Sequence, residues 1–158
     1  HRFQDTKAGD IVEYCPALPR IMAAISERIT AYGGAAIIID YGDWRSKGDT
    51  LQAIGDHKMV SPLTAPGMTD ITAHVDFEAI FNGAAPATVS RLTTQGIFLE
   101  RLGITQRAQA LAQKLTGDAL NTHIEAHRRL THPDEMGNLF KVLGVAANAA
   151  LFPPGLEL

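Results

Sequence analysis

The chain has 158 residues, 46% of them hydrophobic and 20% charged, with a formal net charge of −3, which suits one globular domain around one core. Its longest basic cluster is Arg128-Arg129, too short for a nucleic-acid stripe, and no apolar run approaches membrane-spanning length. Cys15 is the single cysteine, so no intrachain disulfide can form and a reducing compartment is expected.

The chain opens His1-Arg2-Phe3 without a methionine and reads as a piece of a longer protein, so targeting segments are expected to lie elsewhere. Residues 1–9 are polar and unpatterned. Asp10-Ile11-Val12-Glu13-Tyr14 alternates weakly, as a short edge strand would. Pro16 suits the first turn of a helix. Leu18, Ile21, Met22, Ile25 and Ile29 then fall on one helical face, and Gly33-Gly34 ends the helix. The run Ala35 to Asp40, with Ile37, Ile38 and Ile39, is apolar and bounded by turn signals. It predicts a strand buried on both faces, in the middle of a sheet covered by helices. Ligands of open α/β sheets bind beyond the carboxyl ends of the strands, where Asp40 and Tyr41 stand. A plain turn-capping role for Asp40 fits the same position.

The stretch from Gly42 to Gly55 is polar and glycine-rich, with Leu51-Gln52-Ala53-Ile54 as a turn of helix and His57 to Val60 as a brief extended piece. From Thr69 to Phe77 the alternation predicts a single strand. Asp70, Thr72, His74 and Asp76 share one face of it, and Asp76 caps a following helix. Gly83 and Pro86 end that helix, and Ala87 to Thr94 is β-branched enough for one strand, broken at Gln95-Gly96. A short helix to Gly103, a helix capped by Thr105 and a helix from Asp118 to about Leu130 follow. Asn138 to Ala146 reads as a last strand.

The polar row Asp70, Thr72, His74, Asp76 either lines a pocket or forms a solvated face. His74 and Asp76 could orient one another or join a metal, but a metal needs three or four ligands and only His57 lies near in sequence. His123 and His127 share a helix face. Isoleucine stands where the zinc-protease motif requires glutamate, so a solvated face is the better reading and no metal is expected. Cys15 has no nearby histidine in sequence and reads as a buried or inert thiol rather than a nucleophile. No Gly-x-Ser-x-Gly elbow and no phosphate-binding glycine loop occurs.

Taken in order, several blocks resemble one family. They are Ile11-Val12-Glu13 with Pro16, Gly33-Gly34 through Asp40-Tyr41-Gly42, and Gly48-Asp49-Thr50-Leu51. Asp70 to Phe77 is the most distinctive. Thr94-Gln95-Gly96 with Phe98-Leu99, and Met136-Gly137 with Phe140-Lys141-Val142, complete the set. The family is the MidA-type (DUF185) group of S-adenosylmethionine-dependent methyltransferases. Its mitochondrial members assist assembly of respiratory complex I by methylating an arginine of a subunit.

The resemblance implies an α/β fold, the carboxyl-terminal half of a class I (Rossmann-like) methyltransferase sheet. A helical insertion falls at about residues 96–135 of a single domain over 1–158, and the last strand is antiparallel. The cofactor would be S-adenosyl-L-methionine, held mostly by an amino-terminal half that is not in this chain. That half and a protein substrate, such as a complex I subunit, would be the partners. The location would be the mitochondrial matrix in a eukaryote and the cytoplasm in a bacterium. For an arginine substrate, Asp40, Asp70 and Asp76 would hold the guanidinium and His74 would take the proton, with Tyr41, Thr72 and Gln95 in substrate binding. Asp40, Tyr41 and residues 70–76 should then meet at the carboxyl edge of the sheet. Two other readings stay open: a non-catalytic assembly factor on the same fold, and an unrelated metal enzyme using His74 and Asp76.

Overall fold

A computed structural model describes residues 6–157, so part of the polar amino-terminal stretch lies outside the described residues. Helix α1 (Leu18–Tyr32) leads into strand β1 (Ala35–Asp43), followed by strands β2 (Gln52–Gly55), β3 (Lys58–Val60) and β4 (Asp70–Thr72). Strand β5 (Val75–Asp76) runs directly into helix α2 (Phe77–Gly83), and short strands β6 (Thr88–Val89) and β7 (Thr93–Thr94) come next. Helices α3 (Gln95–Arg101), α4 (Ile104–Ala112) and α5 (Gly117–Thr131) precede strand β8 (Phe140–Ala146). The main sheet has the order β5-β1-β8-β6 with β7 also on β8, and β3-β2-β4 make a second sheet. Strand β8 is antiparallel to β1, β6 and β7, whereas β1 and β5 are parallel. This is the expected α/β arrangement with an antiparallel last strand.

Helix α1 ends where the glycines require. Gly33 takes φ 78°, a conformation glycine reaches without a Cβ clash, and its N–H closes on the Ile29 carbonyl at 2.8 Å. The proline of its first turn is Pro19 rather than Pro16. The buried face is Met22, Ser26 and Ile29, with Leu18 and Ile25 packed beside them; Ile21, expected there, is 52% exposed. Ser26 is buried because its hydroxyl is satisfied: it donates to the Ala84 carbonyl and accepts from Ala87 N–H at 3.0 Å. A small polar side chain thus fastens α1 to the end of α2.

The strand buried on both faces is β8, not β1. Leu143 and Val145 pack with Met22, Ile29, Phe77 and Ile80 under α1 and α2. Val142, on the opposite face, packs with Phe98 and Leu156. Each such fully buried side chain contributes about 2 kcal/mol relative to exposure. In β1, Ile38 reaches the first cluster, but Ile37 and Ile39 are 42% and 46% exposed. The expected burial of all three isoleucines therefore fails on one face. The register explains why: Ile37 and Ile39 lie opposite Gly144 and Val142, on the side where α3 and Leu156 cover β8 but not β1.

Other expectations are corrected by pairing partners. Residues 10–14 form no strand; of that stretch, the Ile11 carbonyl is tied, accepting from Gly48 N–H at 3.0 Å. Leu51 to Ile54 is not a turn of helix, because Asp56 and His57 both take positive φ (49° and 61°) and fold β2 onto β3 as a hairpin. The alternating stretch 69–77 is two strands on two sheets, separated at Ala73–His74. Residues 87–94 are likewise split: Ser90 replaces a ladder step, its Oγ accepting from Gly144 N–H at 2.8 Å. Helix α3 starts at Gln95 rather than after Gly96, and Gly103, not Thr105, caps α4.

Glycines set the closest backbone approaches. A β-carbon on Gly42 would sit 2.1 Å from the Val75 carbonyl oxygen, so only glycine lets β5 pair with β1 there. A β-carbon on Gly96 or Gly137 would sit 2.6 Å or 2.1 Å from the Thr131 carbonyl oxygen, where α3 and the turn before β8 close on the end of α5. Gly42→Ala and Gly137→Ala should each lower stability by about 3 kcal/mol in urea unfolding, while Asn82→Ala, on the exposed side of α2, changes it by under about 0.5 kcal/mol. A wild-type midpoint for Gly42→Ala would mean that β5 does not pair as closely as described.

Candidate functional site

The carboxyl ends of β1 and β5 meet side by side, Gly42 opposite Val75 and Asp43 opposite Asp76. This is where open α/β sheets take ligands. Asp76 is 9% exposed and caps α2 as expected, its Oδ1 accepting from Ala79 N–H at 3.1 Å. The loop after β1 is clamped to the same helix. The Trp44 carbonyl accepts from Glu78 N–H at 2.9 Å, and the Arg45 guanidinium makes a two-pronged contact to the Glu78 carboxylate, both bonds 2.7 Å. The Trp44 ring meets Phe81 edge-on at 5.4 Å. Because Arg45 is well exposed, this fork fixes geometry more than it adds stability.

The irregular entry segment supplies the third wall. Glu13 accepts from the backbone N–H of Thr50 at 3.0 Å and from its hydroxyl, and the Thr50 oxygen accepts from His74 N–H at 2.9 Å. Three of the sequence blocks that carry the resemblance are joined by this chain. Beside it lies a cavity of about 280 Å³ bordered by Glu13, Cys15, Leu18, His74, Asp76 and Ala79. A groove of about 640 Å³ also adjoins His74, lined by Gly42, Asp43 and Lys141 together with Arg129, Glu135 and Met136. His74 borders both spaces. Its ring meets Tyr41 edge-on at 5.6 Å, and Tyr41 meets Phe140 in the same manner at 5.5 Å. Lys141 holds the groove floor together, donating to the carbonyls of Gly42 (3.0 Å) and Asn138 (2.7 Å).

The structure therefore brings together Tyr41, His74 and Asp76 of the residues singled out in the sequence. Asp40 points to the other face of β1 from Tyr41, as neighbours in a strand must, and its Oδ1 accepts from Tyr41 N–H at 2.8 Å. Asp70 and Thr72 stand on β4 in the second sheet, Asp70 exposed and the Thr72 hydroxyl buried. Neither they nor Asp40 border the cavity or the groove. Gln95 is 7% exposed and gives its amide hydrogen to the Leu130 carbonyl at 2.9 Å, tying α3 to α5. His123 and His127 are not simply solvated: His123 Nε2 lies 2.9 Å from the Ala108 carbonyl and His127 Nε2 lies 3.1 Å from the Thr105 hydroxyl, so both fasten α5 to α4. Sequence reasoning gave no role to Glu13, Asp43, Thr50 or Lys141. The place of Glu13, Thr50 and Lys141 inside the blocks that carry the resemblance is the signal that could have found them.

Among the described residues no glycine-rich turn leads from a strand into a helix, so these residues alone do not make a nucleotide cradle. Nor do they include three or more His, Cys, Asp or Glu side chains grouped to hold a metal ion. No helix among them is long and apolar enough to cross a membrane.

Comparison with known proteins gives these features a family. Residues 1–97 match the family described as S-adenosyl-L-methionine-dependent methyltransferase. The chain is 35% identical over 151 residues to the mitochondrial protein arginine methyltransferase NDUFAF7 of Xenopus laevis, covering 94% of this chain and 34% of that protein. It is 33% identical over 151 residues to the human protein of the same name, again 94% and 34%. A Burkholderia thailandensis structure, a methyl transferase candidate bound to S-adenosyl-homocysteine, superposes with TM-score 0.65 at 30% identity, over 78% of this chain and 35% of that one. The chain thus spans about a third of the length of the curated relatives it matches. With the antiparallel last strand and the strand-end site already described, the chain belongs to this family of S-adenosyl-L-methionine-dependent methyltransferases.

Proposed function

We propose that the natural-length protein methylates an arginine of a protein partner, using S-adenosylmethionine, and that this chain supplies the substrate side of the site. The observation that carries the reading is the placement of Glu13, His74 and Asp76 around one cavity that opens beside the groove at the ends of β1 and β5. Two carboxylates suit a guanidinium, which carries donors in a fixed fork. Methyl transfer asks for the nitrogen lone pair to be held in line and stripped of water, and the apolar walls from Leu18 and Ala79 favour that. Asp76 orients the guanidinium, Glu13 fixes its far edge, and the His74 imidazole accepts the proton released as the nitrogen becomes methylated. Asp40, Asp70 and Gln95 have no part in holding the substrate in this reading. Tyr41 acts by packing against His74. The methyl donor is held mainly by the amino-terminal part of the natural-length protein, and a eukaryotic protein of this kind works in the mitochondrial matrix.

A second reading, a protein-binding assembly factor on the same fold, draws on one observation. The second sheet and its loops expose Met59, Leu63, Met68 and Ile71 (65%, 87%, 81% and 55%). The two readings part on transfer of labelled methyl from S-adenosylmethionine to a partner protein, with the modified residue found by mass spectrometry. Methylarginine is the expected product. His74→Asn and Asp76→Asn should each lower kcat/KM about a hundredfold with cofactor affinity unchanged. Partner binding without any methyl incorporation would leave the assembly-factor reading standing instead.

The edge of β1 supports the place of this chain in a larger sheet. Among the described residues, Ala35 to Tyr41 have a partner on the β8 side only, and that open edge carries neither lysine nor proline. A parallel strand from the amino-terminal part would satisfy these backbone groups and lie beside Ile37 and Ile39. Light scattering on the chain expressed alone should show self-association, and co-expression with the amino-terminal part should yield a stable complex. A soluble 17.0 kDa monomer would count against the completed sheet.

A further inference from the structure

Thr50 stands where three separated segments converge. Its N–H and its hydroxyl both donate to the Glu13 carboxylate, and its oxygen accepts from His74 N–H at 2.9 Å. The carboxylate draws the hydroxyl proton and so enriches the lone pair that faces His74, each bond strengthening the other. The recipient lies at a special point in the chain. Ala73 and His74 form the crossing between β4 in the second sheet and β5 in the main sheet, and neither residue is in a strand ladder. A backbone N–H there needs a partner from outside the sheets. Thr50 itself borders neither the cavity nor the groove, so it touches no substrate.

From this geometry we infer that Thr50 is a positioning residue: its Glu13-held hydroxyl sets where the His74 imidazole sits between cavity and groove. The inference rests on the reading of His74 as part of the substrate side. It gives a working reason for the joint presence of glutamate at the entry segment, threonine in the loop after β1, and histidine at the crossing.

The test uses the natural-length protein with Thr50→Val, which removes the hydroxyl at nearly constant shape, and Thr50→Ser, which keeps it. Three readouts are taken: the His74 imidazole proton resonances, assigned by their loss in His74→Asn; exchange of the His74 amide hydrogen; and KM and kcat for the methylated partner alongside cofactor affinity. Thr50→Val should move the His74 resonances out of the shift imposed by the Tyr41 ring, speed amide exchange about tenfold and raise KM about tenfold, with cofactor affinity unchanged. Thr50→Ser should match the wild type on every readout. The inference is overturned if Thr50→Val leaves the His74 resonances and exchange as in the wild type, or if Thr50→Ser shares its changes. Should Thr50→Val fail to fold, wild-type exchange still decides: a His74 amide as unprotected as a loop amide overturns the inference. If the wild-type protein methylates no arginine, the functional reading fails while the resonances and exchange still report on Thr50.

Discussion

The antiparallel pairing of β8 with β1 is the constraint on which the rest of the molecule depends. Strand β8 takes hydrogen bonds from β1 on one side and from β6 and β7 on the other, and it is the strand whose side chains are buried on both faces. It closes the first cluster under α1 and α2 and the second under Phe98 and Leu156. Its amino-terminal end also carries Lys141, whose ammonium group grips the backbone of the Gly42 region. The same strand therefore holds the core and the floor of the groove. A register slip of one residue would exchange its two faces and move Lys141 away from Gly42 together.

Around that strand the quoted sequence blocks turn out to be contacts rather than isolated signatures. The glutamate of the first block reaches the threonine of the loop block, and the threonine reaches the histidine of the most distinctive block. The glycine that follows Asp40-Tyr41 admits Val75, and Gly96 and Gly137 close on one carbonyl at the end of α5. Residues far apart in sequence are thus held against one another in this fold. Motifs quoted in a line record a three-dimensional set of close approaches.

Much of this was legible in the chain. Glycines at the end of α1, the apolar run of β1, the cap at Asp76 and the apolar run of β8 are local signals, and each gave its element. What escaped depended on partners that no local pattern reveals. Leu51 to Ile54 has helix formers, yet Asp56 and His57 in left-handed conformation turn it into a hairpin without the usual Asn-Gly signature. The alternation from Asp70 to Asp76 is real, but the chain changes sheets in the middle of it, so the polar row is divided and only its second half reaches the site. The isoleucine run of β1 signalled burial in general. Which of its faces is covered depends on where α3 and Leu156 come to rest.

The helical hairpin of α4 and α5 contains no fully buried residue, while β8 has five in succession from Val142 to Ala146. Local opening follows buried apolar contact, so this hairpin is expected to open at lower free energy than the sheet. Arg129 at its end and the turn that follows line the groove together with Gly42 and Lys141. The groove lining thus joins residues at the start of the most buried strand to residues at the end of the least buried hairpin. If the proposed protein substrate binds there, it would meet a ledge set on the buried strand and a flank carried by the less buried hairpin, which His123 and His127 tie to Ala108 and Thr105.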